Sequence, residues 1–200
     1  VALAVVEHYL PRGAGDQLPS SDAGAVVALA ERLELLLSIF AKGERPSGSS
    51  DPYALRRAGN GLLQIVWDRG WRLDLSRFLG SAVDDWAALF PEFAIDSSAL
   101  HQDLCQLLRQ RIVSQLEDEG FAPDLVQAVS AESVATERLL ADPMDVRERL
   151  DLLNALRQSK ALPGLMAVVQ RAARLAEKGD LVETDLTVSA VVLPERFESP

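Results

Sequence analysis

The chain has 200 residues, of which 48% are hydrophobic and 25% are charged, and its formal net charge is −10. This balance is typical of a soluble, cytoplasmic globular protein, and no apolar run approaches the roughly 18 residues that a membrane-spanning helix requires. The acidity also argues against a strongly basic nucleic-acid-binding domain.

Helical patterns dominate the chain from its start. A first helical segment ends at Tyr9-Leu10-Pro11, and a loop rich in Gly, Pro, Ser and Asp follows it. Ser20 or Ser21 then caps a long helix over about 22–40, because a hydroxyl oxygen accepts a hydrogen bond from a free amide of the first turn. Steps of three and four residues place its apolar side chains on one buried face. This face consists of Val26, Leu29, Leu33, Leu36 and Ile39 or Phe40.

The next helix is predicted to begin at Asp51-Pro52 and to run to about Trp67. Asp is a favoured N-cap residue, and Pro fits the first helical position because its missing N–H has no partner there. Gly59 and Gly61 each weaken a helix interior by roughly 1 kcal/mol relative to Ala, so they indicate close approach of another segment. The predicted core stripe consists of Leu55, Ala58, Leu62 and Ile65 or Val66.

The remaining helices follow from the same capping rules. Asp74 caps a helix that continues to about Leu89, and 91–98 is the best candidate for a domain boundary. Asp96 and Ser97 begin a long helix that Gly120 ends. Further helices are predicted over about 123–129, 132–140, 143–156 and 162–178, before a strand-like run over 188–197. Because Val1 lies within a helical pattern, we expect the chain to be a piece of a longer protein.

Motifs that carry catalytic chemistry do not occur in the sequence. His8 and His101 are far apart, and there is no metal-binding pair of His or Cys and no Gly-rich phosphate loop. Cys105 has three leucines near it and is predicted to be a buried apolar residue. Trp67, Trp71 and Trp86 are also predicted to belong to the core. The sequence therefore predicts no catalytic residue and no metal site.

Three ordered blocks in the first 62 residues resemble one protein family. They are EHYLPR at 7–12, AGDQLPS at 14–20 and DPYALRRA at 51–58, and the spacing between them is similar too. The blocks resemble the β subunit of the bacterial-type heterotetrameric glycyl-tRNA synthetase. The later chain is similar more diffusely, especially to the cyanobacterial and plastid branch. The resemblance identifies the chain as an internal or C-terminal fragment of such a subunit.

The resemblance implies a fold and a function. The fold is all-α, with a truncated HD-like helical domain over 1–95 and part of a helical anticodon-binding-type domain over 96–200. The chain is implied to be a non-catalytic part of a glycine-tRNA ligase that helps to bind tRNA(Gly). The α subunit of the heterotetramer is implied to carry the aminoacylation centre, which uses ATP and Mg, so no cofactor is expected in this fragment. Neither DNA nor a membrane is an expected partner.

A local excess of arginine gives the candidates for RNA binding. From Arg45 to Arg77 the chain has six basic and three acidic residues, although it is acidic overall. At a helix N-terminus, backbone amides, the helix dipole and a guanidinium favour a phosphate together. The candidates are Arg12, Arg56 and Arg57. Alternatively, Arg56 or Arg57 forms an ion pair that locks two helices, with a partner among Asp51, Glu31 and Glu34.

Two other functions remain open at this point. The chain is alternatively a fragment of an HD-type metal-dependent phosphohydrolase, or a helical subunit-docking module without RNA contacts. The β-subunit family usually has an aspartate-lysine pair and a second aspartate where this chain has Glu31-Arg32 and Glu34. Glutamate is one methylene longer than aspartate and would disturb a tight metal site. This departure argues against the hydrolase.

Overall fold

A computed structural model of the chain describes residues 2–177, and every regular element in that part is helical. The only β geometry there is an isolated bridge between Ser47 and Ser50. The all-α prediction is therefore confirmed, whereas the strand-like run at 188–197 lies outside the described residues. The α-helices are α1 (Ala2–Glu7), α2 (Asp22–Ala41), α3 (Leu55–Asp68), α4 (Leu75–Leu89), α5 (Ser97–Asp118), α6 (Pro123–Ser130), α7 (Thr136–Ala141), α8 (Pro143–Gln158) and α9 (Leu162–Ala176).

Three helices begin where the capping residues predict. The Ser21 side chain accepts a hydrogen bond from the Gly24 amide at the start of α2. Asp74 and Asp96 cap α4 and α5 in the same way. After α5 ends, Gly120 adopts a φ of +91°, a left-handed conformation that glycine reaches without the steric cost of a Cβ. Local hydrogen-bonding chemistry thus decides these boundaries.

The start of α3 differs from the prediction. The helix begins at Leu55 rather than directly after Asp51, because residues 52–54 form a turn and Ala54 adopts a left-handed φ of 57°. Asp51 still caps the helix, but from outside the first turn. Its carboxylate accepts hydrogen bonds from the amides of Leu55 at 2.7 Å and Arg56 at 3.0 Å.

One hydrophobic core extends from α2 to α8. Helix α3 packs against α2 and α5, and α5 also packs against α4, α6 and α7. The predicted stripe of α3 is buried, as are Cys105, Trp67 and Trp86, while Trp71 packs partly against the core. The prediction for Val26 is wrong, since 56% of this residue is exposed. Helix α2 is apolar around much of its circumference, so its packing partners determine which residues are buried.

The close approach predicted at the two glycines of α3 is confirmed. A Cβ on Gly59 would lie 3.1 Å from Cγ of Arg111, and one on Gly61 would lie 2.5 Å from Nε of Arg32. Helices on both sides of the predicted boundary near residue 95 contribute to the core described above. By its internal contacts the chain divides into Val1–Ala155 and Leu156–Pro200. The division into 1–95 and 96–200 stays a prediction.

Helix α7 begins later than predicted because a buried arginine holds the loop before it. Arg109 lies on α5 with 9% of its surface exposed. Its guanidinium donates to the carbonyl oxygens of Ser130 at 3.1 Å, Ala131 at 2.6 Å and Val134 at 2.6 Å. Arg109 thereby fixes the loop over 131–135, and α7 starts after this loop at Thr136.

A buried carboxylate joins α1 to the start of α2. Glu7 is 4% exposed, and its Oε1 accepts a hydrogen bond from the Ser20 amide at 2.7 Å. The hydroxyls of Ser20 and Ser21 also donate to this carboxylate. These hydrogen bonds favour the charged form and lower the pKa of Glu7 from 4.5 to about 2.

This depressed pKa predicts acid sensitivity of the α1–α2 junction. The stabilisation is complete above pH 4.5, the ordinary pKa of Glu7, and is lost as the pH falls toward about 2. Urea unfolding measured across this interval should therefore show a smaller pH dependence for Glu7→Gln than for the unaltered chain. Equal slopes for the two proteins would contradict the prediction. The other carboxylates are the same in both proteins, so their titration contributes equally to the two pH dependences and does not affect the difference.

Candidate nucleic-acid interface

The start of α3 explains how two adjacent arginines are tolerated there. A positive charge at a helix N-terminus opposes the helix dipole, and the carboxylate of Asp51 offsets that repulsion. The same carboxylate occupies the amides of Leu55 and Arg56. The expected phosphate site on these two amides is therefore corrected by the structure. An anion that binds here cannot use these two amides.

Arg56 serves the loop that precedes α3. It is half-buried, and its guanidinium donates to the carbonyl oxygens of Gly48 at 2.9 Å and Ser50 at 3.5 Å. Within residues 2–177, neither Arg56 nor Arg57 forms an ion pair, so the predicted pairs with Asp51, Glu31 or Glu34 are not formed in the described part. The two arginines differ in role, as neighbouring helical positions point about 100° apart.

Arg57 is exposed and presents its charge to solvent. Among the described residues, none accepts a hydrogen bond from its side chain or forms an ion pair with it. Arg57 is the third residue of α3, and it lines two neighbouring concavities. Of the three predicted candidates, it is the one whose guanidinium is free to bind an external anion.

The larger concavity next to Arg57 is positively charged, and we call it the arginine cleft. It has a volume of about 330 Å³ and is lined by three arginines and one glutamate, Glu31. The arginines are Arg12, Arg32 and Arg57. Arg12 and Arg57, predicted separately from sequence, thus lie around one cleft, whereas Arg56 is not among its lining residues.

Arg12 forms an ion pair within its own loop. Its Nε lies 2.9 Å from Oδ2 of Asp16, although 74% of the Arg12 side chain is exposed. Hydrogen bonds from the Arg12 side chain and backbone hold the pKa of Asp16 well below its usual range. Arg12 therefore reaches a phosphate only in competition with Asp16.

Arg32 is the residue of the cleft that sequence reasoning missed. It is 5% exposed, and burial lowers the pKa of its guanidinium. Its Nη2 donates to the carbonyl of Pro11 at 2.8 Å, and its Nη1 donates to that of Ala28 at 2.7 Å. Longer bonds reach the carbonyls at positions 8 and 9. Arg32 lies four residues after Ala28, on the apolar face of α2. A charged residue at such a position is the signal in the sequence that could have indicated a buried arginine.

Most arginines of the segment from Arg45 to Arg77 form ion pairs or hydrogen bonds with other groups of the chain. Arg45, Arg69 and Arg72 form ion pairs with acidic side chains of other segments. Two carboxylates contact Arg72 and raise its pKa. Arg77 is exposed, and within the described part of the chain its side chain has no ion-pair partner. Its neighbours in the nearest cleft include the acidic residues Asp74, Glu137, Asp142 and Asp145.

Two side chains that could serve a hydrolase, those of His8 and Glu34, contact other groups of the chain. Nδ1 of His8 lies 2.5 Å from the carbonyl of Val5, and Glu34 accepts a hydrogen bond from Ser38. Over residues 2–177 no three His, Cys, Asp or Glu side chains are grouped so that they could hold a metal ion.

Burial raises the pKa of Cys105 to about 11, which keeps the thiol protonated. None of the helices in this part is long and apolar enough to span a membrane.

Comparison with known proteins gives one consistent family. Residues 1–131 match the family model described as glycyl-tRNA synthetase beta subunit. The chain is 44% identical over 200 residues to the glycine--tRNA ligase beta subunit of Acaryochloris marina, covering 99% of this chain and 28% of the relative. It is 42% identical over 199 residues to that of Picosynechococcus, covering 98% of this chain and 27% of the relative. The chain thus spans little more than a quarter of the length of these relatives. It belongs to the glycyl-tRNA synthetase beta subunit family.

Proposed function

We propose that this chain contributes tRNA binding to a glycine-tRNA ligase and carries no catalytic residue of its own. The observation behind the proposal is the exposed guanidinium of Arg57 at the edge of the arginine cleft, in a chain of this family. Arginine binds phosphate through paired N–H donors, so Arg57 contacts the RNA backbone and Arg12 adds a second contact when Asp16 releases it. Arg56 supports the site by holding the loop beside it.

The proposal includes the partners of the chain. The names of the relatives describe a beta subunit, and an α subunit then completes a heterotetramer that charges tRNA(Gly) with glycine in the cytoplasm. The α subunit uses ATP and Mg for the chemistry, and this chain needs neither. An HD-like fold for residues 1–95 and an anticodon-binding-type fold for 96–200 belong to the same proposal.

The acidity of the chain is compatible with this role. Affinity for nucleic acid from electrostatics alone requires several phosphate contacts, and the arginine cleft offers few. A subunit of a larger enzyme adds its contacts to those of other parts, so a small basic site suffices. The isolated chain is accordingly expected to bind tRNA weakly.

Reversing the charge of Arg57 tests the proposal. In the full α/β enzyme, Arg57→Glu should raise the KM for tRNA by about fivefold or more, because a phosphate contact becomes a repulsion. In a plot of the logarithm of the tRNA association constant against the logarithm of the salt concentration, the slope should be smaller in magnitude by about one. Glycine-dependent ATP–pyrophosphate exchange, which does not involve tRNA, should stay unchanged.

Arg77→Glu is the matched control. Arg77 is also exposed, is also the third residue of its helix, and follows an Asp that caps that helix. The charged residues that line the cleft beside Arg77 are mainly acidic, whereas those that line the arginine cleft are mainly basic. Its reversal should leave the KM for tRNA unchanged. Equal effects of the two reversals would indicate a response to net charge and would refute a specific contact at Arg57.

A further inference from the structure

A second, smaller concavity lies next to Arg57, and we call it the amide pocket. Its volume is about 220 Å³. The loop after α1 contributes Pro11, Gly13 and Ala14 to its lining, and α3 contributes Arg57, Asn60 and Gln64. It shares Pro11 and Arg57 with the arginine cleft. One arginine therefore serves both concavities.

The polar side chains of this pocket lack internal partners. Arg57, Asn60 and Gln64 are spaced by three and four residues, so they lie on one face of α3. Within the described part of the chain, no hydrogen bond satisfies any of these three side chains. Oδ1 of Asn60 is even covered from solvent without a donor. Because this oxygen is out of reach of solvent, a ligand in the pocket cannot bond to it, and the side chains that are open to a ligand are those of Arg57 and Gln64.

The size and chemistry of the pocket restrict what binds there. The volume is below the roughly 300–1,000 Å³ of pockets for drug-sized ligands, so the pocket has room for a group no larger than a small ring system. Pro11, Gly13 and Ala14 give a smooth wall with no charge. Side-chain amides offer both donors and acceptors, which match the edges of nucleobases.

We propose that the amide pocket receives one unstacked base of the bound RNA. Gln64 bonds to the edge of that base, Asn60 lies against it, and Arg57 binds its phosphate. Recognition of RNA by proteins commonly uses unpaired bases that leave the stack, which fits a pocket beside a phosphate contact. The inference rests on the proposed function and adds recognition of a nucleotide to a contact with the backbone.

Two variants of the full α/β enzyme test the pocket. Gln64→Ala removes an amide from a half-buried position. Gly13→Leu adds a side chain at the lining of the pocket, and the first atom of that side chain, Cβ, meets no other atom within 4 Å. Each should raise the KM for tRNA by about three- to tenfold and leave the melting temperature and ATP–pyrophosphate exchange unchanged. Gln102→Ala, at an exposed position on α5, should have no effect.

Base removal in the tRNA separates this inference from the proposed function. At one unpaired position of the tRNA, removal of the base should weaken tRNA binding to the unaltered enzyme. The same removal should not weaken tRNA binding to the Gln64→Ala enzyme, which already lacks the contact. If Arg57→Glu weakens binding while neither pocket variant does, and no base position depends on Gln64, the amide pocket is not a base site and the proposed function stands. If Arg57→Glu also has no effect, both proposals are wrong.

Discussion

Arg32→Met should lower the free energy of unfolding of the chain by about 2–4 kcal/mol, the largest effect that we expect of any single arginine. Methionine fills much of the same volume, so the loss comes from the hydrogen bonds rather than from a cavity. The carbonyls of Pro11 and Ala28 lose their closest side-chain donors, at 2.8 and 2.7 Å. The loop that lines the arginine cleft is released from α2.

Thermal unfolding followed by helical circular dichroism measures this effect. A loss of this size corresponds to a decrease in Tm of roughly 5–15 °C for a unit of about 150 residues. The control is Arg57→Met, which removes an exposed guanidinium and should change the stability by no more than about 0.5 kcal/mol. Similar losses for the two variants would show that the buried hydrogen bonds of Arg32 are not the cause.

Gly24→Ala should also destabilise the chain, by about 2–3 kcal/mol. A Cβ at this position would lie 2.1 Å from Oε2 and 2.7 Å from Cβ of Glu7. Glu7 cannot move aside freely, because the two serines before α2 hold its carboxylate. The substitution must therefore push α1 away from α2 or break these hydrogen bonds. Urea unfolding of the chain gives the change in free energy.

Gly80→Ala is the matched control for Gly24→Ala. Gly80 also lies within a helix of the same core, but a Cβ there would only approach His101 at 3.8 Å, an ordinary contact. Alanine has the higher helix propensity, so this variant should be more stable by up to about 1 kcal/mol. A stabilised Gly24→Ala variant would mean that α1 adapts without cost.

Much of the fold follows from local chemistry in the sequence. The caps at Ser21, Asp74 and Asp96 are short-range features, and they begin helices where they are predicted to. The start of α3 was not predictable in the same way. Asp51-Pro52 matches a cap pattern, but the chain adds a turn in which Ala54 has a positive φ, and alanine gives no sign of that conformation.

The candidate site was only partly predictable because its organisation depends on long-range contacts. The sequence indicates that Arg57 lies near the start of a helix, and helical spacing separates it from Arg56. The role of Arg32 depends on carbonyls about 20 residues earlier in the chain, and no periodic pattern contains them. Likewise, the ion pairs of Arg72 are formed with residues about 70 positions later. Counting charges over 45–77 therefore overestimates the positive charge available to a ligand.

The guanidinium groups of Arg32 and Arg109 each bridge carbonyl oxygens of different residues, and this has a consequence for which residues can replace them. An ammonium group carries the same charge but has a single nitrogen, so it cannot bridge oxygens that lie apart. Lysine should be a poor substitute at these two positions and an adequate one at 57, where only a cation is needed. Tolerance of lysine thus distinguishes arginines that shape this protein from those that serve its ligand.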